Sequence, residues 1–385
     1  MSVNNQIFLG NERVRSLYER ATDLSEKIKP YAKQSDREAR FLDQTLKTLK
    51  SHRYLSIVLP ESYGGEDLSL YEWLLMQEKI AEGDGATALS VGWHLGLLME
   101  LKQEGLWRDE NYEFIAQEAS RQKLFNRAST EKNTGSPTRG GMPETTAILD
   151  GDEYILTGQK TFTTMAEKLD YALVSATIDG EDQAAWFLVD MLKEGVKVDH
   201  TWDTLGMRGT GSDDLILEQV AIDSSCLVDR LGDQKPLPKA WLLHIPACYL
   251  GIAQAAFDDA VEFANNFKPN SLNHTISKVS HIRQKIGEMS MLLMRSRHFL
   301  YDIARRWDEN PDQRPLLASE LAVVKVNVTN DAQRVVDLAL RIAGGRGLSK
   351  SFDFERYYRD IRAGLHNPPM DDQVLDQLAA KALNE

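Results

Sequence analysis

The sequence predicts an α+β protein in which a β segment lies between two helical segments. Apolar residues recur every three or four positions up to about Lys123 and again beyond about Pro236, which is the spacing of helices that bury one face. Between Leu124 and Asp233 the chain changes to short runs rich in β-branched and aromatic residues, which are typical of strands. The predicted organisation is an N-terminal α-helical domain (1–123), a central antiparallel β domain (124–234) and a C-terminal four-helix-bundle domain (235–385).

Both helical segments contain runs with clear periodicity. YEWLLMQEKIAEGDG (71–85) carries apolar residues three and four positions apart until Gly-Asp-Gly ends the pattern. TALSVGWHLGLLMELKQEG (87–105) is apolar almost all round at its start, as in a buried helix. In the C-terminal segment, the apolar spacing over 249–267 and 328–342 predicts long helices of an antiparallel bundle.

The central segment contains five short runs that are bounded by glycine or aspartate. Their β-branched and aromatic content predicts a small antiparallel sheet or barrel, and Asp179-Gly180 predicts a hairpin turn. A β segment between two helical blocks also predicts a ligand site in the crevice where they meet. The runs are DEYILTG (152–158), DYALVSATIDG (170–180), AAWFLVDM (184–191), GVKVDHTW (195–202) and DLILEQVAI (214–222).

Composition narrows the class of protein. The chain has 385 residues, 42% hydrophobic and 27% charged, with a net charge of −13. This balance is ordinary for a globular protein and argues against nucleic acid or an anionic membrane surface as the main partner. The two cysteines, Cys226 and Cys248, form no CxxC or Cys/His cluster, so neither a metal site nor a disulfide framework is expected. Because neither a secretory signal nor an apolar run of about 18 residues is evident, we predict a cytoplasmic protein without a membrane span.

Five stretches resemble the acyl-CoA dehydrogenase superfamily, in the order and spacing of that family. LPESYGGEDLS (59–69) resembles its Pro-Glu-x-x-Gly-Gly turn, and STEKNTGSP (129–137) resembles its flavin loop. DGDEYILTGQKTFTT (150–164) resembles the Gly-x-Lys hairpin that follows this loop. WDTLGMRGTGSDDLILEQVAI (202–222) and RIAGGRG…ERYYRDIR (341–362) resemble the segment that closes the β domain and the C-terminal Gly-Gly turn with its helix. The resemblance therefore implies an acyl-CoA dehydrogenase-like fold over nearly the whole chain.

The resemblance also implies a bound FAD, with FMN as the alternative. From the residues alone, Gly135 and Ser136 offer backbone N–H groups and a hydroxyl suited to a diphosphate. Phe162 offers an aromatic face for a flavin ring. Arg341 stands where the family usually has glutamine. The implied cofactor-binding residues are Ser129, Thr130, Gly135, Ser136, Phe162, Thr164, Arg341, Gly344 and Gly345.

The catalytic base of the family is missing from this sequence. The α-C–H of a thioester is a weak acid, so its removal needs a base within hydrogen-bond reach. The two positions at which family members carry a glutamate are occupied here by Pro368 and Trp241, and the nearest acids are Asp371 and Asp372. LHNP resembles the Leu-His-Asp-Pro stretch of the superfamily's flavin monooxygenase branch, in which a histidine lies near flavin C4a. This resemblance makes His366 the candidate catalytic residue.

Three functions are left open by these observations. The first is FAD-dependent oxidation of an acyl-CoA or related thioester at Cα–Cβ, which implies an electron-transfer partner. The second is a two-component flavin monooxygenase that uses reduced flavin and O2, which implies a separate flavin reductase. The third is a flavoprotein that binds a partner without turnover. The first two imply a homotetramer or homodimer, and the candidate substrate residues are Trp241, His244 and Asn367.

Overall fold

The computed structural model describes residues 6–104, 109–134, 141–181, 183–231 and 238–384 of the chain. It has the predicted order of helices, strands and helices. The N-terminal helices are α1 (Glu12–Ile28), α2 (Ala32–Glu38), α3 (Asp43–Ser51), α4 (Leu70–Gly83), α5 (Gly85–Glu104) and α6 (Asp109–Ser120). The C-terminal helices are α7 (His244–Asn266), α8 (Ser280–Glu309), α9 (Ala318–Ala343), α10 (Phe354–Ile361) and α11 (Asp371–Leu383).

The central segment forms one eight-stranded sheet within the described residues. Seven of the strands follow the order β6-β7-β3-β2-β4-β5-β8, and β1 pairs with β4 outside this path. The predicted hairpin at Asp179-Gly180 joins β4 to β5, and Gly180 has a φ of +78°. The strands are β1 (Phe125–Ala128), β2 (Thr146–Asp150), β3 (Glu153–Lys160), β4 (Tyr171–Ile178), β5 (Ala184–Asp190), β6 (Val196–Asp199), β7 (Asp214–Asp223) and β8 (Leu227–Arg230).

The sheet is mixed, which corrects the prediction of purely antiparallel strands. β1 and β2 both run parallel to β4, with Phe125 opposite Tyr171 and Thr146 opposite Thr177. The other pairings are antiparallel. Parallel neighbours need a connection of a dozen residues or more. The β2–β3 hairpin lies in the connection between β1 and β4 and supplies that length. The residue pattern within a single strand does not reveal such a crossover.

The two helical segments share one hydrophobic core. It joins buried residues of α1, α4 and α5 to those of α7, α8 and α9, whereas a second, smaller core belongs to the strands. Helix α7 lies at the centre of the larger core, because nearly every residue of its first half is buried. The sheet therefore has a core of its own, while the helices on either side of it in the sequence pack together. The boundaries near residues 123 and 234 stay a prediction.

Helix α4 is held by α8 at its N-terminus and again near its middle. Ser69 and Glu72 form a capping box at its N-terminus, and the carboxylate of Asp308 accepts the backbone N–H groups of Leu70 and Tyr71 at 3.0 and 2.8 Å. A second contact lies within the core, where Glu78 accepts from Arg297, which is 1% exposed. Capping of this kind satisfies N–H groups that the helix itself leaves unpaired.

One helix corrects the expectation that no segment is apolar enough to cross a membrane. By length and composition alone, the run Ala240–Asn266 is long enough and apolar enough to cross a membrane. However, 89% of its apolar window is buried inside the structure, as is usual for a helix at the centre of a hydrophobic core.

Candidate active site

Two loops of the β segment lie side by side at one end of the sheet. One follows β1 and contains Ser129 and Thr130, and the other follows β3 and contains Phe162 and Thr164. The backbone N–H of Thr161 donates to the carbonyl of Thr130 at 2.8 Å. The side-chain amide of Asn126, at the start of β1, donates to the carbonyl of Thr164 at 3.1 Å. The structure thus brings together four of the residues predicted to bind flavin. We call the two loops, residues 129–134 and 161–165, the paired loops.

Phe162 is displayed on the surface of the paired loops in a strained conformation. Its φ is +56°, a left-handed conformation that costs a non-glycine residue about 1–2 kcal/mol. Its ring is 59% exposed and meets the Trp202 ring edge to face, with 5.8 Å between the centroids. Beside it, Thr163 Oγ1 is buried and has no hydrogen-bond partner among the residues that the structure describes. An exposed aromatic face next to an unpaired hydroxyl fits a flat heterocyclic ring, so the loops fit a flavin.

Thr164 is fixed by hydroxyl groups of the segment before β7. Its Oγ1 lies 3.1 Å from Ser212 Oγ, which in turn lies 2.8 Å from Thr210 Oγ1. Thr210 Oγ1 also donates to the carbonyl of Met207 at 2.9 Å. The backbone N–H of Met207 donates to the buried carboxylate of Asp360, and burial raises the pKa of Asp360 to about 7. This chain of contacts connects the paired loops to α10 in the C-terminal segment.

A buried ion pair, which the sequence analysis did not identify, anchors the first loop. Glu131 accepts from Lys160 Nζ at 2.6 Å, and from the backbone N–H and hydroxyl of Thr145 at 2.9 and 2.6 Å. The side chains of Glu131 and Lys160 are 2% and 0% exposed. Burial raises the pKa of Glu131, but the hydrogen bonds from Lys160 and Thr145 outweigh it and hold that pKa below its usual value. Lys160 occupies an inward position of β3, and an inward lysine requires a partner. That position was the signal available in the sequence.

Other predicted cofactor residues lie elsewhere or outside the described residues. Gly135 and Ser136 are among the residues that the structure does not describe. Arg341, Gly344 and Gly345 are exposed at the end of α9. Arg341 lines a surface cleft of about 370 Å³ together with residues of α8 and α9, namely His281, Gln284, Lys285, Glu288, Arg334 and Leu338. The cleft is cationic on balance, because Arg334 is paired with Glu288 at 2.7 Å while Lys285 and Arg341 add two further positive charges.

The C-terminal candidates lie around the turn after α10. His366 is exposed, and its backbone N–H donates to the carbonyl of Ala363 at 3.0 Å. Asn367 accepts the hydroxyl of buried Tyr249 at 2.5 Å. The carboxylate of Asp371 is already shared by Lys325 at 3.4 Å and Asn330 at 2.8 Å. Asp371 is therefore tied to α9 and poorly suited to serve as a base.

Trp241 and His244 belong to a buried group of rings that we call the tryptophan–histidine cluster (Trp73, Trp93, Trp241 and His244). The His244 ring is parallel or nearly parallel to those of Trp73 and Trp241, with 5.8 and 6.1 Å between centroids. Trp93 meets the His244 ring edge to face at 4.9 Å. His244 is 0% and Trp241 6% exposed. Burial lowers the pKa of His244 to about 3, so its imidazole is neutral at physiological pH.

Two glycines of α5 allow the cluster to pack closely. A Cβ atom on Gly92 would overlap His244 Nδ1, and one on Gly96 would lie 2.5 Å from Trp241 Cε3. The backbone of α5 therefore approaches both rings more closely than any other residue type permits.

Gly92→Ala is expected to lower the free energy of unfolding by about 1–3 kcal/mol, the usual effect of overpacking a core. This loss should appear although alanine favours a helix interior over glycine by about 1 kcal/mol. Urea denaturation measures the change. The matched control is Gly287→Ala in α8, where an added Cβ meets no atom within 4 Å and stability should rise. Equal changes for the two variants would contradict the close contact at Gly92.

Arg127 of β1 links the cluster to the paired loops. Its guanidinium lies over the rings of Trp241 and Trp186, 5.9 and 5.5 Å from their centroids. It also forms an ion pair with Glu100 of α5, whose side chain is 4% exposed. Because Arg127 lies on β1 two residues before Ser129, the first residue of the loop that follows this strand, the cluster and the paired loops adjoin.

Comparison with known proteins identifies the family of this chain. Residues 12–105, 126–220 and 243–365 match the N-terminal, middle and C-terminal domains of acyl-CoA dehydrogenase. YdbM of Bacillus subtilis (strain 168), whose name places it provisionally among the acyl-CoA dehydrogenases, is 45% identical over 377 residues, which cover 98% of this chain and 99% of YdbM.

A second relative and a solved structure agree with this assignment. The 3-(aryl)acrylate reductase of Clostridium sporogenes (strain ATCC 15579) is 30% identical over 91% of this chain and 93% of its own. The butyryl-CoA dehydrogenase structure from Megasphaera elsdenii superimposes with a TM-score of 0.86 over 97% of this chain and 99% of its own, at 22% identity. These matches confirm the resemblance and the fold. The chain belongs to the acyl-CoA dehydrogenase family of flavin-dependent oxidoreductases.

Proposed function

We propose that the protein binds FAD against the paired loops and oxidises an acyl-CoA or related thioester at Cα–Cβ. The observation that carries this proposal is the pairing of the Thr130 and Phe162 loops through the Thr161–Thr130 hydrogen bond, with the Phe162 ring exposed. When bound, the flavin supplies the acceptor for a hydride from Cβ. Ser129, Thr130 and Thr164 supply polar groups for the edge of the ring, and Phe162 supplies a packing face.

The step that the flavin does not supply, removal of the Cα proton, depends on the chain's own residues. A proton must leave Cα as the hydride leaves Cβ, and the two positions that carry a glutamate in the family hold Pro368 and Trp241. The structure adds that Trp241 is buried in a ring cluster. The name of one relative concerns an aryl acrylate, so aryl-substituted acyl compounds belong among the substrates to test, in both the oxidising and the reducing direction.

The exposed position of Arg341, Gly344 and Gly345 favours a site completed by a second copy of the chain. These residues line or adjoin the cationic cleft of α8 and α9, whereas the paired loops belong to the sheet. In a homodimer or homotetramer, the cleft of one copy could face the paired loops of another. Both groups of predicted flavin-binding residues, those of the paired loops and those at the end of α9, would then contact the same flavin. The electrons would then leave through a separate electron-transfer partner.

Phe162→Ala tests the proposed flavin site. Full burial of a phenylalanine ring is worth about 1.5–3 kcal/mol, so FAD affinity should fall roughly 10- to 150-fold. Equilibrium dialysis with absorbance of the bound flavin measures the dissociation constant, and mass spectrometry of the released cofactor distinguishes FAD from FMN. The control is Phe114→Ala, which removes another partly exposed ring, 40% exposed, from α6. Equal affinities in Phe162→Ala and the wild type would reject the paired loops as the flavin site.

The monooxygenase alternative depends on His366. An FAD-loaded protein that no acyl thioester reduces, but that consumes O2 when reduced flavin is supplied, would favour this alternative. His366→Ala should then slow oxygen consumption and leave flavin affinity unchanged, since the His366 side chain is exposed.

A further inference from the structure

Contacts of the Met207 carbonyl lead to both side chains of the second paired loop (161–165) that are predicted to bind flavin. This carbonyl accepts from Trp202 Nε1 at 3.1 Å and from Thr210 Oγ1 at 2.9 Å. The Trp202 ring packs edge to face on Phe162, and Thr210 leads through the next hydroxyl to Thr164. The orientation of one peptide therefore bears on both the aromatic face and the hydroxyl of the proposed site.

The backbone of Met207 has a conformation that needs support from its neighbours. Its φ is +52°, which is unfavourable for any residue that has a side chain and persists where the surrounding structure holds it. The Met207 side chain is buried, and its N–H donates to Asp360 Oδ1 at 2.7 Å. Without this acceptor the buried N–H would be unpaired, so the peptide would shift to find another partner.

Asp360 has a fixed place beside this peptide. It lies in the last turn of α10 and is 3% exposed. The backbones of the two segments are in direct contact, because a Cβ atom on Gly206 would lie 2.1 Å from the carbonyl oxygen of Arg359. Arg359 also donates from Nη1 to the carbonyl of Leu205 at 3.2 Å. The Asp360 carboxylate is therefore held where it meets the Met207 N–H.

The two oxygens of the Asp360 carboxylate have different neighbours. Oδ1 accepts the Met207 N–H, whereas Oδ2 lies 3.8 Å from Arg356 Nη1. Arg356 is also paired with Asp353, at 3.2 Å. The hydrogen bond to the loop segment and the charge that Arg356 requires can therefore be removed separately.

We propose that Asp360 is a positioning residue for the flavin. By accepting the Met207 N–H, it fixes the carbonyl of Met207, which in turn holds Phe162 and Thr164 in place. This inference rests on the proposed function for the identity of the bound ring. Asp360 acts through the Met207 peptide and not by direct contact, so that flavin affinity depends on how α10 packs against the segment before β7.

Three variants separate the hydrogen bond from the charge. Asp360→Leu removes both. Asp360→Asn removes the charge but keeps a carbonyl oxygen that can accept the Met207 N–H. The matched control is Asp353→Asn, which takes a carboxylate from Arg356 at the opposite end of α10. All three should melt at a lower temperature than the wild type, because each leaves the buried Arg356 with less negative charge nearby.

Hydrogen exchange of the flavin-free protein and FAD affinity are then measured for each variant. Mass spectrometry follows exchange of the backbone amides of residues 161–165, and equilibrium dialysis gives the FAD dissociation constant. In Asp360→Leu we expect exchange at least tenfold faster and a dissociation constant at least tenfold higher. In Asp360→Asn and Asp353→Asn, both quantities should stay within threefold of the wild type. Rescue by asparagine would show that the acceptor, and not general stability, holds the loop.

Thr210 tests the next contact of the same series and does not require Asp360→Leu to fold. Thr210→Val removes the hydroxyl that donates to the Met207 carbonyl, and should raise both the exchange rate and the FAD dissociation constant at least fivefold. Thr210→Ser keeps the hydroxyl and should stay within threefold of the wild type. The control is Thr329→Val, which removes an equally buried hydroxyl that donates within α9 and should change neither quantity.

The outcomes separate this inference from the proposed function. Exchange of residues 161–165 that is as slow in Asp360→Leu or Thr210→Val as in the wild type would overturn the inference. So would exchange as fast in Asp360→Asn as in Asp360→Leu, or an FAD affinity that Phe162→Ala lowers and Asp360→Leu does not. If neither Phe162→Ala nor Asp360→Leu alters FAD affinity, the proposed flavin site fails, whereas faster exchange in Asp360→Leu alone still supports the positioning of the loop by Asp360.

Discussion

Lys160→Met is expected to lower the free energy of unfolding by about 3–5 kcal/mol, the usual cost of leaving one member of a buried ion pair alone. The side chain of Glu131 is 2% exposed, so water cannot replace the lost ammonium group. Since Glu131 also binds the backbone of Thr145, the paired loop 129–134 should loosen and flavin affinity should fall with stability. Urea denaturation and equilibrium dialysis with FAD measure the two effects.

A second lysine–glutamate pair of the sheet provides the matched control. Lys197 and Glu218 lie at the same N–O distance of 2.6 Å, but their side chains are 61% and 57% exposed. Lys197→Met should cost less than about 1 kcal/mol, as exposed pairs do. If both variants lost the same stability, burial would not be what makes the Glu131–Lys160 pair important.

Reduction of the bound flavin by straight-chain acyl-CoA is expected to be about 10²–10⁴-fold slower than in a family enzyme that has a glutamate at either known position. This range is the typical contribution of a positioned general base. Here Pro368 has no proton acceptor, and Trp241 presents only an indole N–H. Stopped-flow absorbance of the flavin under anaerobic conditions, with a series of acyl-CoA chain lengths, measures the rate.

Fast reduction by any member of the series would show that another group removes the proton. Asp371→Asn and Asp372→Asn are then the variants to compare. Because Asp371 is bound by Lys325 and Asn330, we expect Asp371→Asn to change stability more than rate. A rate that fell at least 10²-fold only in Asp371→Asn would identify that carboxylate as the base.

The order of helices and strands along the chain could be predicted from the sequence better than the pairing of the strands. The β-branched and aromatic runs of β3 and β4 and the three-to-four spacing in α7 and α9 are local properties, so they were visible without the structure. The parallel pairing of β1 and β2 with β4 depends on a crossover through other strands, and no local pattern encodes it.

In the candidate site, too, local motifs could be predicted from the sequence, whereas contacts between distant segments could not. Phe162 and Thr164 could be predicted as site residues because a motif of neighbouring residues carries them. The partner of Lys160 lies 29 positions away, in a loop that has no periodicity of its own. The rings around His244 come from three helical elements, so sequence spacing could suggest a pocket residue there but not that its nitrogens would be buried and unpaired.

The Asp308 cap has a consequence for the newly made chain. The residue that accepts the first N–H groups of α4 follows them by 238 positions for Leu70 and 237 for Tyr71. At about 5–20 residues per second, a ribosome needs roughly 10–50 s to reach it. During that interval the N–H groups of Leu70 and Tyr71 lack this acceptor, and the apolar surface that α4 buries against α7 and α8 is uncovered. The emerging N-terminal half is therefore the form of this protein that should depend most on chaperones.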